Sequence, residues 1–333
     1  MKRHLLAWLL LLAATMALAD QRHADIGDLA LTSGGVIEDC RVGFRTLGEL
    51  NADKSNVIVF PTWFRGTTGD LVKYGIIGPG GLADTDRYHV VAIDALANGV
   101  SCSPSNTEGD YPAVTTSDMV RSQHRLLTEH LGLNHVRAVM GISMGGMQTF
   151  AWIGEYPDFM DKAVSLDGSP RMTSYDLLQW HTHRDVVRKM QAGGYGDAEI
   201  GAMASQLSYL TLYTPDYFVA QVPADKWRDF VNPGGQAGEG FHPDDYVAQL
   251  NAMINHNVLG SGEASEKDYV SRVEARVLIV GVKDDHMVNP TPARRLAPLL
   301  EAEYVAIESN CGHVGSSCET DRVKPRVAEF LYE

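Results

Sequence analysis

Short apolar runs recur along the chain and alternate with segments of helical periodicity. The runs occupy residues 56–60, 89–93, 136–140, 163–166, 276–280 and 304–307. Continuous apolar runs of this length are typical of strands that are buried on both faces of a parallel sheet. Between the second and third runs, apolar positions from Met119 to Leu131 recur at helical spacing, and we expect Ser117 to cap this helix and Gly132 to end it. The alternation predicts an α/β fold, in which helices cover both faces of a mostly parallel central sheet.

Residues 172–269 break this alternation. The segment is helical in pattern, and Pro223, Pro233 and Pro243 interrupt it. A stretch of this length without a strand pattern, inserted into an α/β chain, is typical of a helical cap over an active site. The sequence therefore predicts a core of residues 20–171 and 270–333 and a helical cap or lid of residues 172–269.

Residues 1–19 have the pattern of a signal peptide. Lys2 and Arg3 precede an apolar run at positions 5–12, and positions 17–19, Ala-Leu-Ala, form a small-residue cleavage site. An uncleaved membrane anchor is the weaker interpretation, because the apolar run is too short to span a bilayer. We therefore expect an exported protein, periplasmic or secreted, with no membrane span after the signal peptide is removed.

The acidic character of the chain argues against some partners. It has 42 acidic and 28 basic residues, a formal net charge of −14, and no basic cluster. A chain of this kind is a poor candidate for binding nucleic acid or an anionic membrane surface. The composition leaves the oligomeric state open, a homodimer included.

The chain contains four cysteines, which allow three disulfide connectivities in an oxidising compartment. Cys311 and Cys318 are the natural pair because they bracket one short loop, and Cys40 and Cys102 remain. Buried free thiols are the alternative. The chain has no Cys-x-x-Cys motif and no matching pair of histidines, so we expect no metal site.

The pentapeptide Gly-Ile-Ser-Met-Gly at positions 141–145 lies between an apolar run and a helical pattern. A Gly-x-Ser-x-Gly sequence between a strand and a helix is the signature of a nucleophile elbow. The glycines allow a turn that is too tight for side chains at the flanking positions. Ser143 is therefore the candidate nucleophile.

A serine at its ordinary pKa needs a base to activate it, and the base needs an acid that orients it. In an α/β-hydrolase chain these residues follow in the order serine, acid, histidine. Asp284 and Asp285 come soon after the apolar run at 276–280, and His313 follows the run at 304–307. Because the carboxyl ends of parallel strands meet at one edge of the sheet, we expect these groups to lie near Ser143. Both aspartates are candidates, and we prefer Asp285.

Acyl transfer also needs N–H donors for the oxyanion of the tetrahedral intermediate. One donor is expected from the backbone of Met144, the residue after the nucleophile, and the other from the loop after an earlier strand. That loop is formed by residues 60–66. Pro61 has no N–H to donate, so we expect the backbone N–H of Trp63 to be the second donor.

Several longer motifs share one family pattern. They include Phe-Arg-Thr-Leu-Gly-Glu-Leu-Asn at 44–51, Ser-Met-Gly-Gly-Met-Gln at 143–148, Asp-His-Met-Val-Asn-Pro at 285–290 and Gly-His at 312–313. With them the chain resembles the homoserine O-acetyltransferase-like branch of the α/β-hydrolase superfamily. The resemblance implies that Ser143 is the nucleophile, Asp285 rather than Asp284 the orienting acid, and His313 the base.

The chain departs from that family at sites that concern the substrate. Positions 62–65 read Thr-Trp-Phe-Arg, where the acetyltransferases usually have a small residue and then Leu-Thr-Gly. His313 is followed by Val-Gly-Ser-Ser instead of Asp-Ala-Phe-Leu. Arg184 and Arg188 are candidates, by neighbourhood alone, for the arginine that holds the amino-acid substrate. These departures argue against homoserine as the acceptor.

The sequence therefore predicts an exported serine hydrolase that cleaves a carboxylic ester of a small molecule through an acyl-serine intermediate. No cofactor is expected, since an exported chain would rarely meet cytosolic acetyl-CoA. The alternative is an acyltransferase of the homoserine O-acetyltransferase type that uses the same acyl-serine. The third hypothesis is a non-catalytic binding protein on this fold.

Overall fold

A computed structural model describes residues 20–235, 238 and 240–333 of the chain. The predicted signal peptide at positions 1–19 lies outside the described residues. Among the helices of the described part, none is both long enough and apolar enough to cross a membrane.

The core of the fold is a twisted eight-stranded sheet with the strand order β1-β2-β6-β3-β7-β8-β9-β10. The strands are β1 Arg22–Ala30, β2 Val36–Leu47, β3 Val57–Pro61, β4 Ile77–Gly78, β5 Ala83–Asp84, β6 His89–Ile93, β7 Val136–Ile142, β8 Met160–Leu166, β9 Arg276–Val282 and β10 Glu303–Ile307. β4 and β5 form a separate parallel pair. β2 is antiparallel to both of its neighbours, and all other adjacent strands of the large sheet are parallel. The prediction of a mostly parallel central sheet is confirmed.

Helices lie on both sides of this sheet. They are α1 Thr68–Lys73, α2 Thr116–Arg125, α3 Met144–Glu155, α4 Ser174–Ala192, α5 Asp197–Leu212, α6 Pro215–Gln221, α7 Trp227–Val231, α8 Pro243–Ile254, α9 Glu263–Arg272, α10 Thr291–Leu296, α11 Gly315–Cys318 and α12 Thr320–Tyr332. Helices α4 to α9 lie between β8 and β9 in the chain, where the sequence predicts the cap.

The middle of the sheet is buried because helices cover both of its faces. All five residues of β3 are buried, and apolar side chains pack into two clusters, one that includes Val59 and one that includes Phe60. Neighbouring residues of a strand point to opposite faces, so these clusters are the two sides of one sheet. α3 is itself almost wholly buried, with Phe150 and Trp152 fully enclosed. The nucleophile elbow thus rests on a rigid, closely packed support.

The N-cap of α2 differs from the prediction. The cap is Thr115, not Ser117: its side chain accepts a hydrogen bond from Asp118 N, and the Asp118 carboxylate accepts one from Thr115 N at 2.8 Å. This reciprocal capping box requires an acid three residues after the cap, and among the neighbouring hydroxyl residues Thr115 meets that condition. Five further residues, Leu126–His130, continue α2 as a π-helical turn. Gly132 follows with φ +61°, in the conformation that ends helices.

All four cysteines form disulfide bonds. Cys40 of β2 is bonded to Cys102 in the loop after β6, with 5.5 Å between their Cα atoms. Cys311 is bonded to Cys318, with 6.5 Å between their Cα atoms, and the loop that they close contains His313.

Candidate active site

Ser143 occupies a strained turn between β7 and α3. Its φ and ψ are 57° and −121°, a conformation that non-glycine residues rarely adopt. Ser143 N donates to Leu166 O at 2.8 Å, which fixes the turn to β8. A Cβ atom on Gly141 would lie 2.4 Å from the carbonyl carbon of Gly145, so the turn closes only with glycine there.

The structure brings Ser143, His313 and Asp285 into one chain of hydrogen bonds. His313 Nε2 lies 2.8 Å from Ser143 Oγ, and His313 Nδ1 lies 2.7 Å from Asp285 Oδ2. All three side chains are buried, whereas Asp284 is exposed. With its Nδ1–H donating to the carboxylate, the imidazole presents a free Nε2 to the serine hydroxyl. The arrangement can therefore remove the Ser143 proton.

Asp285 is held in place by the backbone that follows it. Its Oδ1 accepts hydrogen bonds from Met287 N at 2.8 Å and from Val288 N at 2.9 Å, which leaves Oδ2 for His313. Burial by itself lowers the pKa of His313, but the charge and hydrogen bond of Asp285 raise it, and the net pKa is above its ordinary value. The imidazole is thus a stronger base than an isolated one.

A second buried carboxylate, Asp167, lies beside this group. It directly follows β8 with φ +50°, and its Oδ2 accepts a short hydrogen bond from Ser316 Oγ. Its Oδ1 is buried and has no hydrogen-bond partner among the described residues. Burial is the main cause that raises the pKa of Asp167 to about 7. The nearby His313 lowers this pKa, and the negative charge of Asp285 raises it further. Sequence reasoning missed this residue, although its position at a strand end is the signal that identified Asp285.

The two backbone amides expected to hold an oxyanion are unpaired. Within the described residues, neither Trp63 N nor Met144 N has a hydrogen-bond partner in the protein. Gln148 Nε2 donates to Thr62 O at 3.0 Å and to Met144 O at 3.1 Å, and so fastens the loop after β3 to α3. In a trans peptide the C=O and N–H point in opposite directions, so this contact also fixes the direction of the Trp63 N–H.

A cleft of about 750 Å³ opens above Ser143 and His313. Much of its wall is aromatic, formed by Trp63, Phe64, Tyr74, Tyr209 and Tyr213. Four serines add hydroxyl groups: Ser205, Ser208, Ser316 and Ser317. The cleft is the size of a small-molecule site and is bounded by both the core and helix α5 of the predicted cap.

The two arginines considered from sequence lie elsewhere. Arg188 pairs with Asp244 at 2.5 Å, and Arg184 contacts the ring of His181 at 2.7 Å. Neither is among the described residues that line the cleft. The described residues also contain no group of three or more His, Cys, Asp or Glu side chains placed to hold a metal ion.

Residues 66–317 match the α/β hydrolase fold family, and the chain belongs to that family. Within it, the predicted resemblance to the homoserine O-acetyltransferase-like branch is confirmed. The chain is 28% identical to homoserine O-acetyltransferase of Haemophilus influenzae over 351 aligned positions, which cover 92% of this chain and 97% of that protein.

Esterases are also among its relatives. The chain is 38% identical over 206 residues to ethyl acetate hydrolase of Pseudomonas veronii, a match that covers 58% of this chain and only 59% of that relative. The crystal structure of an acetylester hydrolase from Corynebacterium glutamicum is similar over 94% of this chain and 95% of that chain. Its TM-score is 0.83 at 27% identity.

Proposed function

We propose that the protein is an exported serine hydrolase that cleaves a carboxylic ester of a small molecule through an acyl-serine intermediate. The observation that carries this proposal is the continuous hydrogen-bonded chain from Ser143 through His313 to Asp285. Its distances of 2.8 and 2.7 Å are within reach of proton transfer, which argues against a non-catalytic binding protein.

In the proposed reaction, His313 accepts the hydroxyl proton as Ser143 Oγ attacks the ester carbonyl carbon. The N–H groups of Met144 and Trp63 hold the resulting oxyanion. His313 then gives its proton to the leaving alcohol, and the acyl group stays on Ser143. A water molecule, deprotonated by His313, attacks this acyl-enzyme, and the carboxylic acid leaves as Ser143 regains its proton. Asp285 stabilises the imidazolium form in both halves of the cycle.

Small acyl groups are favoured by the relatives. One is named ethyl acetate hydrolase and a similar solved structure is an acetylester hydrolase, so both act on acetyl esters. The aromatic wall of the cleft is suited to the apolar parts of such esters, because aromatic rings bury a large area with little loss of side-chain freedom.

Acyl transfer to an amino-acid acceptor is the second candidate, because a homoserine O-acetyltransferase matches nearly the whole chain. Acetyl-CoA as the donor would bring several phosphate charges into the cleft. Among the described residues that line the cleft, only one, Arg65, carries a permanent positive charge. One cation is a weak counterpart to that many phosphates, and this favours hydrolysis.

An acyl-ester assay tests the proposed function directly. Release of alcohol from 4-nitrophenyl acetate is followed with and without homoserine, in the wild type and in Ser143→Ala. The control is Ser271→Ala, which changes an exposed serine of α9. Steady turnover in water that is lost only in Ser143→Ala supports the hydrolase. One burst that stalls until homoserine is added would instead identify a transferase, and no release at all would leave a binding protein.

Export is part of the proposal and is supported by the composition of residues 1–19. Expression of the full chain in a Gram-negative host, with fractionation and intact-mass analysis, tests it. The expected product is found outside the cytoplasm and begins at Asp20. A cytoplasmic product that retains residues 1–19 would contradict export and leave the proposed ester chemistry untouched.

A further inference from the structure

Arg65 lies in the loop after β3, two residues beyond Trp63. Its backbone has φ +62°, the left-handed region that a side chain makes unfavourable. Arg65 N donates to Gln249 Oε1 at 2.8 Å, and Gln249 Nε2 donates to Leu96 O at 3.0 Å. Gln249 belongs to α8 and is buried. The strained backbone is thus held in one position, which fixes where the side chain begins.

The guanidinium of Arg65 rests on two aromatic rings. Its Cζ lies 5.1 Å from the ring centre of Phe241 and 5.6 Å from that of Tyr246, and both rings are buried. Cation–π contacts of this kind orient an arginine but do not neutralise its charge. In the described part of the chain, no carboxylate forms an ion pair with Arg65, although the protein as a whole is strongly acidic.

Arg65 is also one of the walls of the cleft that contains Ser143. Burial lowers the pKa of Arg65, while the residue as a whole keeps an exposed surface. Of the described residues that line the cleft, Arg65 alone carries a permanent charge. Within the described residues this cation has aromatic neighbours but no carboxylate partner, and an anion that enters the cleft would supply one.

Resting on the proposed ester hydrolysis, we propose that Arg65 binds a free carboxylate on the substrate. The substrate class is therefore an ester whose acyl part or alcohol part carries a second, anionic carboxylate. A guanidinium presents two parallel N–H donors that match a carboxylate, which gives direction as well as affinity. This carboxylate takes no part in the reaction: Ser143 Oγ still attacks the ester carbonyl and releases the alcohol, and water then hydrolyses the acyl-enzyme to release the carboxylic acid.

Two pairs of esters test the proposal and distinguish the two ends of the substrate. The acyl arm compares 4-nitrophenyl glutarate with its neutral amide, 4-nitrophenyl glutaramate. The alcohol arm compares 4-acetoxybutanoate with 4-acetoxybutanamide. Each pair differs in charge and hardly in size. The measured quantity is the ratio of kcat/KM for the anionic ester to kcat/KM for the neutral ester.

We expect this ratio to exceed one in one of the two arms of the wild type. Arg65→Met should lower the ratio in that arm by about 10- to 100-fold. Arg65→Lys keeps the positive charge but loses the two parallel N–H donors of the guanidinium, and it should lower the ratio less. Raising the ionic strength from about 0.05 to about 0.5 M should reduce the wild-type ratio. A ratio near one in both arms, or an unchanged ratio in Arg65→Met, would overturn the proposal.

Two further measurements keep the result clear. Glutarate should inhibit the wild type competitively and more strongly than glutaramate does. This measurement uses only the wild-type protein, so it does not depend on the folding of a variant. Equal inhibition by the two compounds would count against carboxylate binding by Arg65. Glu239 precedes Phe241 by two positions in the sequence, so Glu239→Gln is the matched control. Its ratio should equal that of the wild type; a large rise would show that Arg65 already has a counter-ion and overturn the proposal.

Failure of the ester chemistry has a different signature. If the wild type turns over neither member of a pair, or if Ser143→Ala retains the activity, the proposed function fails. If the neutral esters are hydrolysed through Ser143 and charge makes no difference, the proposed function stands and only the role of Arg65 is lost.

Discussion

Ser316 Oγ donates a hydrogen bond to the buried carboxylate of Asp167, and this contact ties the segment that carries His313 to the end of β8. The carboxylate has a second oxygen that is buried and has no partner among the described residues. Burial raises its pKa to about 7, so its charge changes within the range where a histidine base works. Asp167 is therefore placed to influence both the pH dependence of turnover and the stability of the fold.

Asp167→Asn should move the acidic limb of the pH profile of kcat/KM to lower pH. The proposed base is the neutral form of His313, and the negative charge of Asp167 raises the pKa of His313. Without that charge the imidazolium is less stable and loses its proton at lower pH. The exposed Asp284→Asn is the control, since solvent screens its charge. Coinciding profiles of Asp167→Asn and the wild type would count against this influence.

The same substitution should change the pH dependence of stability. The pKa of Asp167 is about 7 in the fold against an ordinary value of 3.8, so the folded state holds a proton that the unfolded state has lost between these values. Stability from this group is complete below pH 3.8 and is lost as the pH rises through 7. Asparagine cannot ionise, so the stability of the variant relative to the wild type should rise by about 3 kcal/mol between pH 5 and pH 8. Urea unfolding at pH 5 and pH 8 measures the free energy of unfolding of both proteins. The same difference between variant and wild type at both pH values would contradict this prediction.

Gln148→Leu should lower kcat by about 10- to 100-fold with a smaller effect on KM. The amide of Gln148 holds Thr62 O and thereby the direction of the Trp63 N–H, which the proposed mechanism uses only when the oxyanion forms. Gln123→Leu is the matched control. Gln123 donates to Gln148 Oε1 at 2.6 Å and accepts from Trp152 Nε1 at 2.8 Å, so this variant damages the same buried network one step farther from the loop.

Steady-state kinetics and unfolding curves separate the two effects. Both variants should lose about 1–3 kcal/mol of stability, because each leaves buried polar groups without partners. Only Gln148→Leu should lose most of its kcat. Equal losses of kcat in the two variants would mean that the network supports the fold and does not position the loop.

The two disulfides should differ in what their removal affects. The Cys40–Cys102 bond spans 62 residues and the Cys311–Cys318 bond only 7, so chain-entropy estimates give about 4 and about 2.5 kcal/mol of stability. The short loop, however, carries His313, and Cys318 lines the cleft. Double serine variants should therefore show the larger stability loss for the long loop and the larger loss of kcat/KM for the short one. The reverse order in either measurement would refute this division.

The parts of the site that follow from local sequence could be predicted. The glycines around Ser143 encode the turn, and Asp285 and His313 follow apolar runs that become β9 and β10. The structure brings these three side chains together because parallel strands end at one edge of the sheet. The local pattern identified Ser143 and His313 and left Asp284 and Asp285 as candidates, and the longer motif at 285–290 favoured Asp285.

The features that sequence did not reveal depend on distant contacts or irregular backbone. Asp167 and Ser316 are separated by 149 residues, and the unusual pKa of Asp167 comes first from burial, which has no sequence motif. β1 was missed because register shifts around Gly27 interrupt the alternation of its apolar positions. The cap of α2 is a different case: Asp118 stands three residues after Thr115, so the capping-box pattern is present in the sequence and the prediction of Ser117 overlooked it.

The loop after β3 is in contact with helices α4 and α8 of the predicted cap. Phe64 packs against Trp180 and Tyr246 at ring-centre distances of 5.9 and 4.9 Å, and Gln249 holds the amide of Arg65. In a chimaera that carries the cap of a relative, Phe64 and Arg65 would lose these partners. The loop that presents the backbone N–H of Trp63, the proposed oxyanion donor, would then lack its present contacts. A chimaera designed to take the substrate preference of a relative therefore needs both the loop after β3 and the cap from that relative.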